Sequence, residues 1–74
     1  MDAVTTSKAK QILSAELQRL GRTYRLTART ISFEDLARAE MVFVTVHAWD
    51  GPPEMAAHLK KLASLSGFRV TFAN

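Results

Sequence analysis

The sequence predicts a small mixed α/β domain (α+β-like) of 74 residues in the order α-β-(short α)-β-α-β. Three observations carry this. Two segments repeat apolar residues at helical spacing and each runs into a glycine, at Gly21 and Gly67. Three other segments alternate apolar and polar residues with the period of a strand. A Pro-Pro turn at 52–53 joins the second strand to the second long helix, and a third strand follows directly. That strand-helix-strand unit makes its two strands parallel. The expectation is a three-stranded mixed sheet with both long helices on one face.

In order, residues 7–20 place Ala9, Ile12, Leu13, Leu17 and Leu20 on one face, opposite Lys8, Lys10, Gln11, Gln18 and Arg19. Residues 1–5 show no such pattern and are expected to be disordered. In 23–32, Tyr24, Leu26 and Ala28 point one way and Arg25, Thr27 and Arg29 the other. Ser32 and Asp35 fit a capping box, with Ile31 and Leu36 at the flanking hydrophobic-staple positions, so a short helix is expected over 33–39.

The stretch 41–49 is the most apolar. Val42, Val44, Val46 and Ala48 form its even face; Met41, Phe43, Thr45, His47 and Trp49 form its odd face. Apolar content on both sides marks a central strand. Pro52 and Pro53 suit the N-cap and first position of the next helix, which runs to about Ser66 with Met55, Leu59, Leu62 and Leu65 inward. The last strand, 68–73, turns Phe68, Val70 and Phe72 inward and Arg69 and Thr71 outward. The link between the first two strands is shorter than a usual parallel crossover, so they are expected to be antiparallel.

Composition bounds the function. At 47% hydrophobic and 23% charged, the chain reads as one globular domain over 1–74. It has no cysteine, which excludes disulfides and thiolate metal sites. A domain this small hides only about 60% of its unfolded surface, so homodimerisation is a natural source of extra stability. The net charge of +3 favours acidic partners. No apolar run is long enough to cross a membrane and no secretory leader is visible, so a cytoplasmic location is expected.

With both long helices on the even face, the odd face would display Arg25, Thr27, Arg29, Phe43, Thr45, His47, Trp49, Arg69 and Thr71. This is the candidate contact face. The first expectation is a non-enzymatic binding or adaptor domain that self-associates through this face or a sheet edge, led by Trp49 and Phe43. The alternative is a nucleic-acid-binding module that uses Arg25, Arg29, Phe43, His47, Trp49 and Arg69 for stacking and phosphate pairing. The aromatic signature of the common RNA-binding sheet is absent from the sequence. An enzyme with a site shared across a dimer ranks third. No serine sits in a nucleophile elbow, and no phosphate-binding glycine motif occurs. His47, Asp50, Glu54 and His58 are metal-ligating types, but their spacing matches no metal motif, and each has a structural explanation. Neither metal nor cofactor is expected.

Overall fold

The computed structural model describes residues 4–33 and 39–74, with the side chains of Phe33 and Ala39 excepted. The elements are helix α1 (Thr6–Arg19), strand β1 (Leu26–Phe33), strand β2 (Ala39–Val46), helix α2 (Pro53–Ser66) and strand β3 (Arg69–Phe72). They form a three-stranded mixed sheet in the order β1-β2-β3. β1 pairs antiparallel with β2, and β2 parallel with β3, as the short first link and the strand-helix-strand unit imply.

Residues 4 and 5 depart from the expected frayed start. Thr5 is the N-cap of α1, and its hydroxyl accepts a hydrogen bond from the Lys8 amide at 3.0 Å. Val4 packs on the core. Both helices end in the same way. The Arg22 amide bonds to the Leu17 carbonyl and the Gly21 amide to Gln18; the Phe68 amide bonds to Ala63 and the Gly67 amide to Ser64. This paired closure needs a left-handed residue, and Gly21 (φ 75°) and Gly67 (φ 88°) supply it. α2 starts on Pro52 and Pro53, which leaves it no side-chain cap.

The predicted short helix over 33–39 does not match the paired strands. Phe33 and Ala39, its expected ends, are the last register pair of the β1·β2 ladder, and Ser32 faces Glu40. Ile31, expected as a staple, lies opposite Met41 in the sheet. Local capping signals are outweighed here by continued strand pairing. Asp35 and Leu36, the other halves of those signals, lie outside the described residues.

One core fills the space between the helices and the even face of the sheet. Ala9, Leu13 and Leu17 come from α1, Leu59 and Ala63 from α2, Val42, Val44 and Val46 from β2, and Phe68 and Val70 from the β3 segment. Val44, Val46, Leu13 and Leu59 are fully enclosed. α1 lies over β1 and β2, and α2 lies against β3. The expected inward row of α2 needs one correction: Leu65 is 78% exposed. At about 100° per residue, Leu65 points roughly 120° away from Leu59, whereas Ala63 lies within about 40° of it and takes the buried place.

Candidate functional site

Because both helices occupy the even face, the odd face of the sheet carries none of the described helices. Its layout follows from the register. Arg29, Phe43 and Arg69 form one row across the three strands. Thr27, Thr45 and Thr71 form the next. Thr45 Oγ1 and Thr71 Oγ1 are 3.1 Å apart and hydrogen-bonded. Ile31 and Met41 lie beyond the arginine row. At the other end the His47 amide donates to the Arg25 carbonyl, which continues the β1·β2 pairing one step past the strand. His47 Nε2 is 2.8 Å from Thr27 Oγ1. Strands about 4.8 Å apart place the Arg29 and Arg69 backbones roughly 10 Å from each other with the Phe43 ring between them.

Arg25, Arg29 and Arg69 are exposed, and Phe43 is half-buried between its neighbours. Among the described residues, no Asp or Glu side chain stands on this face, and none of these three arginines is in an ion pair. Glu40, the one described acidic strand residue, has the opposite parity.

Eight of the nine expected contact residues belong to this face or its end; Trp49 does not. In a regular parallel ladder the Ala73 carbonyl would accept from Ala48. Instead the Ala73 amide bonds to the Val46 carbonyl, and its carbonyl accepts from Trp49 at 2.9 Å. One extra residue is therefore accommodated on the β2 side, a bulge, and Ala48 adopts φ 56° to make room. A one-residue insertion reverses the facing of whatever follows. Ala48 is thus exposed rather than part of the apolar even face, and Trp49 turns to the helix side. There its ring lies 5.1 Å from Tyr24 and 4.7 Å from Phe72, both of which pack on the core. The indole also covers Gly51, where an added Cβ would come within 2.4 Å of it.

This turn is clamped by groups far apart in sequence. The Tyr24 hydroxyl donates to Asp50 Oδ1 at 2.5 Å, and Arg22 Nη1 donates to the Tyr24 oxygen at 2.6 Å and to Asp50 Oδ1 at 3.2 Å. The Tyr24 bond first, then the Arg22 charge, holds the Asp50 carboxyl below its usual range. Beside the clamp, Thr23, Tyr24, Arg25, His47, Ala48, Asp50 and Asn74 line an open cleft of about 560 Å³. Its composition was not legible in the sequence: Tyr24 and Asp50, which line it, are separated by 26 residues.

The remaining metal-type residues do not converge. His58 Nε2 lies 2.5 Å from Glu16 Oε2, linking the two helices, and Arg19 closes on the same carboxylate at 2.6 Å. The Arg19 bond, followed by the His58 bond, lowers the Glu16 carboxyl to about 2. Among the described residues, no group of three or more His, Asp or Glu is close enough to hold a metal ion. None of the described helices is long and apolar enough to cross a membrane.

Compared with known protein families, with curated proteins and with solved structures, the chain gives no match.

Proposed function

We propose that the odd face of the sheet is a binding platform for single-stranded nucleic acid. The observation that carries this reading is the Arg29–Phe43–Arg69 row, an aromatic ring flanked by two guanidinium groups on a face without described carboxylates. Bases stack on an aromatic surface regardless of sequence, and arginines pair with backbone phosphates. The threonine row supplies hydroxyls beside it.

The competing expectation, self-association through this face, loses its strongest support with Trp49. A face-to-face pair would set three arginines of one copy against three of the other, and like charges brought together oppose docking. Pairing of two β1 edges would bring Arg25 and Arg29 close to their own copies, and such edge charges discourage strand addition.

Anisotropy titration of a labelled single-stranded oligonucleotide tests the proposal. If three arginines meet phosphates, log affinity should fall against log salt with a slope of about −2, at roughly −0.7 per contact. Phe43→Ala should weaken binding by about 1–3 kcal/mol, the usual contribution of one stacked base. Arg29→Gln should make the slope shallower by roughly 0.7. Absence of binding at low salt would refute the reading. A concentration-dependent dimer, seen by sedimentation and abolished in Phe43→Ala, would return the face to self-association.

A further inference from the structure

We infer that the cleft at the Arg25–His47 end of the sheet is a nucleotide subsite, which takes a phosphate against Arg25 and His47 and sugar hydroxyls against Asp50. Its volume, about 560 Å³, lies within the roughly 300–1,000 Å³ typical of small-ligand clefts.

The charge pattern narrows the ligand. Arg25 enters no ion pair among the described residues. Asp50 is 78% exposed, and its bonds to Tyr24 and Arg22 both end on Oδ1, so Oδ2 takes neither. A bare anion would gain from Arg25 and be repelled by Asp50. A ligand that carries an anion at one end and hydroxyl donors at the other satisfies both sides. A nucleoside monophosphate is such a ligand, whether free or as the phosphorylated end of a strand.

Continuity with the platform selects a nucleotide over other phosphate esters, and to that extent the inference rests on the platform reading. The Arg25–His47 pair is the next row after Thr27–Thr45, one step of about 6.7 Å along the strands. A strand lying on the platform would reach this cleft with its terminal residue. The floor is preorganised: the Tyr24–Asp50–Arg22 clamp and the indole of Trp49 hold the left-handed Ala48 turn in place.

The test is amide shift mapping of the isotope-labelled full chain with uridine 5′-monophosphate, uridine, inorganic phosphate and glycine. The monophosphate should shift the Thr23, Ala48 and Asp50 amides saturably, and uridine or phosphate alone should bind at least about tenfold more weakly. Thr23→Glu, at an exposed position, should cost at least about tenfold by placing a carboxylate beside the phosphate, and Arg25→Gln should act in the same direction. Circular dichroism checks the fold of both variants, and Phe43→Ala should retain monophosphate binding. No saturable shift with the monophosphate overturns the inference, as does tighter binding of glycine. The two readings separate cleanly. Oligonucleotide binding lost in Phe43→Ala, without monophosphate shifts, keeps the platform and removes the cleft. Monophosphate shifts without oligonucleotide binding do the reverse. A 5′-phosphorylated oligonucleotide that outcompetes its 5′-hydroxyl counterpart assigns the cleft to strand ends; equal competition assigns it to free nucleotides.

Discussion

The left-handed Ala48 decides which way Trp49 faces, and it is open to direct test. A left-handed conformation costs an L-residue roughly 1–2 kcal/mol, because its Cβ crowds the carbonyl oxygen. Ala48 stands at φ 56° and is exposed, so no packing contact is sacrificed when its methyl is removed. Glycine relieves the strain but loses more backbone entropy on folding, roughly 0.5–1 kcal/mol. Ala48→Gly should therefore stabilise the domain by about 0.5–1 kcal/mol. For a chain of this size that corresponds to roughly 2–8 °C in Tm. Ala48→Val should act oppositely, because a β-branched residue tolerates positive φ least. Thermal melts followed by near-ultraviolet circular dichroism would also report the Trp49–Tyr24–Phe72 cluster directly. A lower Tm for Ala48→Gly together with an unchanged Tm for Ala48→Val would mean that the strand runs on without a bulge. Trp49 would then belong to the open face, and the argument against self-association would fail.

Three further outcomes are expected. Gly51→Ala should destabilise by about 1–3 kcal/mol in a denaturant titration, since a Cβ 2.4 Å from the indole forces that ring to move; an unchanged midpoint would contradict the packing. Val44→Ala should cost about 2 kcal/mol, because the side chain is completely enclosed at the centre of the sheet; a wild-type melt would contradict the core assignment. Acid should destabilise through Glu16, whose carboxyl is lowered from 4.5 to about 2 in the fold. The unfolded chain binds the proton first, so this stabilisation is fully present above about pH 4.5 and lost as pH falls towards 2. Glu16→Gln should flatten that part of the Tm–pH curve, and parallel curves for the two proteins would show that the Arg19–Glu16–His58 link contributes nothing.

Much of the fold was legible because its signals are local. Period-3.6 and period-2 patterns name the faces that must leave water, and Gly21 and Gly67 stand where a helix end requires positive φ. From these follow the helices, the three strands, the parallel β2·β3 pair and the row of arginines and threonines on the odd face. Ser32 and Ile31 show how local signals mislead: both fit a helix start, yet ladder pairing with Glu40 and Met41 claims them for β1.

Alternation along 41–49 assigned Trp49 to the open face by counting, and counting fails wherever a strand takes in an extra residue. Alanine has no preference for the left-handed region, so nothing in the sequence marks Ala48 as a bulge. The bulge follows from the Ala73 carbonyl pairing with Trp49 and from the fit of a large ring between Tyr24, Phe72 and Gly51. The cleft is likewise tertiary. Tyr24 and Asp50, which line it, meet only after the first and second strands have paired, and no local pattern encodes a contact across 26 residues of chain. The sequence by itself determined the helices, the strands and which sheet face the two described helices cover, because periodicity and helix ends are properties of neighbouring residues, whereas Leu65, Ala48 and Trp49 were not placed by it. The tertiary structure alone decided where the indole points and what the end of the sheet can hold, because both depend on pairing and packing between distant segments.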